Sequence, residues 1–297
     1  MQKIKGNSYY FQAPVCIGGV MVDKQLLLID SGNDDSSVRK AYRDIEGVEV
    51  IGILNTHSHA DHCGGNAYIQ RQFGAVVYAP EIESAFIESP ILEPVYLFGA
   101  YPLDSLQNKF LMAKPSMVNQ KIKKDESLAF AFKNRLFHIK TVDLAGHSPN
   151  QMGYITEDNI AYLGDALIAS EMIQKHPLIF TYNVTAHYAA LNTLETLNAD
   201  GYVIAHGGFY ESIHQLIVDN RKALDQTQEN ILFLINQGPN TFDGIHSHLC
   251  EVYALTESVP QHLLNRSVIK AHVRHLIDSG LLTISSESGK LFIQKSV

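Results

Sequence analysis

The run T-H-S-H-A-D-H, Thr56 to His62, sets three imidazoles and one carboxylate directly behind the apolar segment Val48 to Leu54. Borderline cations such as zinc take neutral imidazole nitrogen and carboxylate oxygen, so this composition and spacing point to a metal site. The preceding V-E-V-I-G-I-L-N has the β-branched, apolar character of a buried strand. The ligands are therefore expected on a loop at that strand's C-terminal end, with alternation sending His57 and His59 one way and Asp61 and His62 another. A rigid sheet holds such a loop well enough for chemistry. A polar loop merely rich in histidine is the bland alternative, and the regular spacing weighs against it.

One loop cannot close two coordination spheres, and three further places offer partners. Leu144 to Asn150, L-A-G-H-S-P-N, follows the strand-like F-H-I-K-T-V-D and presents His147 between the turn formers Gly146 and Pro149. Ala161 to Ala166, A-Y-L-G-D-A, ends an apolar run on Asp165, and Tyr202 to Gly208, Y-V-I-A-H-G-G, ends another on His206. Each alone is weak, since a lone His or Asp after a strand is more often a hydrogen-bonded loop residue. Their order and shared context give them weight together.

With Asp30 in L-L-L-I-D-S-G, these motifs make the chain resemble the metallo-β-lactamase superfamily. The resemblance covers about residues 1 to 210 and implies the four-layer αββα sandwich, an α/β fold that periodicity alone could not choose over other α/β arrangements. It implies that His57, His59 and His147 hold a first metal and Asp61, His62 and His206 a second, with Asp165 between them. Two zinc ions are the expected cofactors, with iron or manganese as the alternative. Asp30 is expected behind the loop, orienting ligands by hydrogen bonding rather than binding metal.

Composition limits the other possibilities. A chain of 297 residues with 45% apolar content can bury one large core, or one large and one small. The formal charge of −8 works against a general nucleic-acid surface, because phosphate binding leaves a basic footprint. Cys16, Cys63 and Cys250 are widely spaced and odd in number, which indicates neither a disulfide framework nor a zinc knuckle and favours a reducing, cytoplasmic setting. The N-terminus lacks the apolar core of a signal peptide, and no run is long enough to span a bilayer, so no membrane partner is expected.

Strands and helices alternate through the first half: a hairpin of Val15–Val22 with Gln25–Asp30, helices at Ser36–Ile45 and Gly64–Phe73, and a strand at Ala75–Ala79. The second half is expected to add strands at Leu128–Phe132, Leu136–Val142, Met152–Thr156, Asn159–Gly164 and Tyr202–Ala205, with a helix at Thr185–Asn198 for which Thr185 can cap. Within a catalytic domain of residues 1–210, residues 87–124 are rich in proline and aromatics. That insert reads as a lid over the cleft, a homodimer contact, or simple packing by a short helix such as Leu103–Met112.

Residues 211–297 read as a helical linker and a winged-helix-like domain. A long helix over Tyr210–Gln237, with a break at Asp225, leads to helices at Phe242–Tyr253 and Leu263–Ser279 and to a hairpin turning at Ser288-Gly289. Arg266, Lys270, His272, Arg274 and His275 could face phosphates on the last helix, but Asp278 and Glu257 accompany them and a contact role is favoured. His272 and His275, at i and i+3, are read as packed or solvated rather than metal-binding. His246 and His248, two apart on a helix, point away from each other. His176 and Tyr182 are equally pocket wall or core, and Cys63 is read as buried packing.

The expected activity is metal-dependent hydrolysis of an ester, thioester or lactone-like small molecule. Water between the two cations is the nucleophile, and Asp61 is the catalytic group that orients it and carries a proton to the leaving group. Cleavage of single-stranded RNA is the first alternative, because some superfamily endoribonucleases resemble this chain in carrying a C-terminal winged helix. A mononuclear iron persulfide dioxygenase is the second, since such enzymes share the loop but use fewer ligands.

Overall fold

A computed structural model describes residues 1–42, 47–256 and 258–296. The first half builds a seven-stranded sheet in sequential order from β1 (Gln2–Lys5), β2 (Ser8–Phe11), β3 (Ile17–Val22), β4 (Gln25–Ile29), β5 (Glu49–Leu54), β6 (Val76–Pro80) and β7 (Gln120–Ile122). Its strands are antiparallel up to β4 and parallel from β4 to β7. A six-stranded sheet follows, from β8 (Ser127–Phe132), β9 (Arg135–Asp143), β10 (Met152–Thr156), β11 (Ile160–Tyr162), β12 (Gly201–Ile204) and β13 (Gly208–Tyr210), in the order β13-β12-β11-β10-β9-β8. Only the β11–β12 pair within it is parallel.

Side-chain alternation along the strands distributes apolar groups to two faces and so creates layers. On β4, Leu27 and Ile29 face the second sheet while Leu26 and Leu28 face the other way. The second sheet sends Phe137, Ile139, Tyr154, Ile160 and Tyr162 into the shared interior. On the outer face of the first sheet, Val38 of α1 (Asp35–Tyr42) and Ile69 of α3 (Asn66–Phe73) cover Leu26, Val50 and Ile53. On the outer face of the second, α7 (Val184–Thr196) and the first half of α8 (His214–Ile235) cover Ala161, Tyr202 and Ile204. Three apolar layers between four structural ones give the αββα sandwich.

The later part of α8 leaves that cluster and joins a separate one. Ile231 and Ile235 pack with Ile245 and Leu249 of α9 (Phe242–Tyr253), with Val268, Ile269, Val273 and Leu276 of α10 (Val259–Asp278), and with the hairpin β14 (Leu282–Glu287) and β15 (Lys290–Lys295). No described helix is long and apolar enough to cross a membrane.

Several expectations are corrected. The helix at Thr185–Asn198 starts at Val184, and its cap is Asn183, whose side chain accepts from the Ala186 N–H. The helix at Tyr210–Gln237 begins later, because Tyr210 closes β13, and it runs unbroken through Asp225, whose carboxylate accepts from the Tyr188 hydroxyl. Only Asp104–Leu106 is helical within Leu103–Met112, as a single 3-10 turn. Asn108 explains this: its side chain accepts from the Phe110 N–H and donates to the Ser105 carbonyl, drawing off groups a helix would need. α4 (Glu81–Glu88) leads into the insert, and α5 (Leu92–Phe98) lies within it. Of the helix at Ser36–Ile45, α1 holds the first part, and Ile45 lies outside the described residues, as does Glu257.

Phe137 is fully buried where the sheets meet. Phe137→Ala should therefore destabilise the chain by about 3–5 kcal/mol. The check is a lower urea midpoint at unchanged slope.

Candidate metal centre

Strand direction brings the chemical residues to one place. Because β4 and β5 are parallel, Asp30 and the Thr56 loop leave the first sheet at the same edge. In the second sheet β9, β11 and β12 share a direction, so His147, Asp165 and His206 all follow C-terminal strand ends. The two edges face each other: His147 Nε2 lies 2.9 Å from His59 Nδ1, and His206 Nε2 lies 3.3 Å from Asp61 Oδ2. All seven expected ligand residues meet here, in three groups able to hold an ion: His57, His59 and His147; His57, His62 and Asp165; and Asp61, His62 and His206.

Alternation does not sort the loop residues as expected. His57 and His59 lie on extended chain, whereas Asp61 and His62 ride on the one-turn helix α2 (Ala60–Cys63), which points them to the other side. Two glycines allow the remaining approach. At Gly164 (φ +55°) a Cβ would lie 2.8 Å from Thr56 Oγ1, and at Gly146 (φ +142°) it would lie 2.4 Å from His187 Cα. Larger residues there would push Asp165 and His147 away from their partners.

Outer hydrogen bonds decide which nitrogens carry protons. The Thr56 hydroxyl donates to Asp30 at 2.8 Å, so it can only accept from His57 Nδ1 at 3.0 Å, and His57 Nε2 is left with a lone pair. His147 Nδ1 donates to the Phe180 carbonyl at 3.1 Å, which leaves its Nε2 as a lone pair too. Both lone pairs point at His59 Nδ1, at 3.0 and 2.9 Å, and one proton cannot satisfy both. Nitrogens held 2.0–2.1 Å from a tetrahedral zinc stand ~3.3 Å apart, close to this spacing. His62 Nδ1 donates to Asp30 at 2.8 Å; its Nε2 is buried 3.4 Å from Asp165 Oδ1, and neither atom has a hydrogen-bond partner among the described residues. These orphaned atoms fit a shared cation.

Charge divides the cluster. Burial holds His57 well below the usual imidazole range and His147 down at about 3, reinforced by neighbouring imidazoles, so this side is neutral and basic in the Lewis sense. Burial also disfavours charge on His62, but Asp165, Asp30 and Asp61 outweigh it and raise that group well above its ordinary value. Asp165 is the main cause that lifts His206 to about 10. Asp61 is lowered to about 2, because His62 and His206 outweigh the cost of its burial.

Sequence reasoning missed Glu83. It is fully buried and accepts from the Ser58 N–H and hydroxyl, the Ser148 hydroxyl and the Asn150 N–H, tying the His57–His59 loop to the His147 loop. His187 was also missed; it bonds Thr181 Oγ1 and the Ala166 carbonyl beneath Gly146. A Glu at a helix start or a His within a helix has no local pattern that marks such a role. Glu93 of α5 stands 3.9 Å from His59 Nε2, its carboxyl raised well above the ordinary range by burial and then by Asp61 and Glu83. Cys63 is buried and bonded to the Ser58 carbonyl, which suits the packing role expected of it.

A cavity of about 220 Å³ opens over the cluster. His59, Asp61, His147 and Asp165 form its floor, Phe110 and Leu111 of the insert one wall, and Leu264, Asn265 and Val268 of α10 another. The helix for which a contact role was favoured over phosphate binding borders this cavity. His272 is buried and held down at about 3, His275 bonds Thr185, Arg274 pairs with Asp278, and Arg266 stands near Asp243. His176 and Tyr182 are not among the lining residues. His246 is buried and set against His262, while His248 stacks on Phe233, so these two do face apart.

Comparison with known proteins agrees with this geometry. Residues 6–206 match the family model of the metallo-beta-lactamase superfamily, and the chain belongs to that superfamily. It is 24% identical over 194 residues to the hydroxyacylglutathione hydrolase GloC of Haemophilus influenzae, covering 65% of this chain and 84% of that protein. It is 34% identical over 58 residues to a hydroxyacylglutathione hydrolase of Thiobacillus denitrificans, a stretch that spans 20% of this chain and only 22% of the relative. A metallo-beta-lactamase family protein of Thermus thermophilus shares the fold, with a TM-score of 0.73 at 18% identity over 97% of this chain and 99% of that one.

Two outcomes follow. Glu83→Gln offers one acceptor oxygen where two are needed, and should lower zinc affinity roughly 10–100-fold with circular dichroism unchanged. Because ligands bind metal deprotonated and His62 and His206 are raised, zinc loading at neutral pH should release protons, and apparent affinity should climb as pH rises towards the His206 value of about 10. Calorimetry in buffers of different ionisation enthalpy reads that release.

Proposed function

We propose that this chain is a metal-dependent hydrolase that cleaves an ester, thioester or lactone-like small molecule at a pair of divalent cations. The observation that carries the reading is the set of fixed imidazole lone pairs and orphaned buried atoms beneath a cavity open to solvent. His57, His59 and His147 would hold one cation, and Asp61, His62 and His206 the other. Asp165 serves both, with one oxygen 3.4 Å from His62 Nε2 and the other 3.5 Å from His147 Nε2. An all nitrogen and oxygen donor set suits zinc and also accommodates iron or manganese. Such a pair supplies a Lewis acid for the scissile carbonyl and water acidified towards neutral pH.

The protein's own groups do the rest. Asp30 and Thr56 hold the imidazole tautomers, and Asp61, partly exposed at the cavity floor, accepts a proton and passes it to the leaving group. The hydroxyacylglutathione hydrolase name of the Haemophilus influenzae relative supports hydrolysis. Complete donor sets on both sides speak for two cations rather than the single iron of an oxygenase. We read residues 211–297 as a winged-helix-like domain whose last long helix walls the substrate cavity, which leaves RNA a disfavoured partner.

Protein purified without added metal should contain about two zinc ions per chain, and should hydrolyse simple esters or thioesters. Asp165→Asn should reduce kcat/KM by more than the roughly 10–100-fold that outer hydrogen-bond partners carry. One iron per chain with oxygen consumption, or RNA cleavage without ester hydrolysis, would overturn the reading.

A further inference from the structure

The cavity above the cluster, about 220 Å³, falls below the roughly 300–1,000 Å³ of ordinary small-molecule sites, so it accommodates a reacting group and little more. A second cavity of about 890 Å³ lies beside it, between α9, the start of α10 and the end of α5. Asn265 lines both. Phe98, Leu103, Leu255, Val259 and Leu263 form the apolar part of the larger groove's wall, and most of its other lining residues are polar. Phe98, Leu103 and Val259 are 38%, 42% and 54% exposed, an apolar rim of the kind that marks a binding surface.

We propose that this groove receives the uncharged, apolar arm of the substrate, such as the acyl chain of an ester, thioester or lactone. The inference rests on the hydrolytic reading above and names the substrate class within it. Charge argues against an anionic arm, and the exposed apolar rim favours an uncharged arm over a cationic one. Among its described lining residues are the carboxylates Asp243 and Glu251 but no lysine or arginine, and the nearby Arg266 is engaged by Asp243 at 3.7 Å. A phosphate- or carboxylate-bearing arm would lose hydration and meet like charge. An apolar arm removes the exposed rim from water and asks for no partner.

The test uses the zinc-loaded full chain and p-nitrophenyl esters from acetyl to decanoyl. We expect kcat/KM to rise about two- to fourfold per methylene, at most the equivalent of ~0.8 kcal/mol each. The paired substitution Leu103→Asp and Val259→Asp, at exposed positions, should collapse the decanoyl-to-acetyl ratio. A dodecanamide with a mid-chain diazirine reports binding without turnover, and adducts within residues 98–103 and 243–263 support the groove. A flat chain-length profile with the acetyl ester cleaved, or adducts elsewhere or none, overturns the groove and leaves the hydrolase standing. Failure to cleave any ester, thioester or lactone with two zinc ions bound overturns the hydrolytic reading instead, and the labelling then decides the groove alone.

Discussion

Asp30 accepts three hydrogen bonds at the end of β4, from the Thr56 N–H, the Thr56 hydroxyl and His62 Nδ1. Those bonds set the protonation of the cluster. Were the Thr56 hydroxyl free to donate to His57, the lone pair that now faces His59 would be lost. Asp30 holds φ +62°, a left-handed conformation that costs a non-glycine residue about 1–3 kcal/mol and persists only when surroundings over-determine it. Three donors converging on one buried carboxylate are such surroundings. The strain is local, and its product is a set of imidazoles prepared to bind a cation.

Glu83 plays the corresponding part at the other side. It bridges two loops from different sheets, so the relative placement of His59 and His147 depends on a carboxylate that touches neither. Parallel strands deliver the loops to one edge, but a strand end fixes a side chain only to within a loop's freedom. Buried charge-assisted hydrogen bonds, stronger than neutral ones, remove that freedom. The glycines before His147 and Asp165 contribute by absence, since any Cβ there would occupy space held by His187 or Thr56.

Legibility in the sequence follows the range of the interaction. The loop His57 to His62 and the strand-end residues His147, Asp165 and His206 were readable because metal binding demands particular residue types and the strands before them are apolar in a recognisable period. The layered sandwich came from the resemblance, since alternation along β4 says that both faces are covered and not by what. Asn183 displaced Thr185 as cap because either residue can accept a helix N–H and the chain direction decides. Glu83, Glu93 and His187 were invisible, their roles arising from contacts 25 to 67 residues away in the case of Glu83.

The last long helix shows most clearly why position outranks composition. Its basic residues left a phosphate surface open beside the favoured contact role, and four of its side chains, Gln261, Leu264, Asn265 and Val268, line the cavity over the histidines. These recur at the three- and four-residue spacing of one helical face, and the neighbouring face, through His262 and Leu263, lines the larger groove. One helix thus borders both the space where bonds would break and the space where the rest of a reactant would lie. The floor of the site comes from strand ends, where the geometry of cation binding tolerates little change. The roof comes from the insert and this helix, where apolar side chains can be exchanged without disturbing a single ligand, so selectivity can vary while the floor's chemistry stays the same.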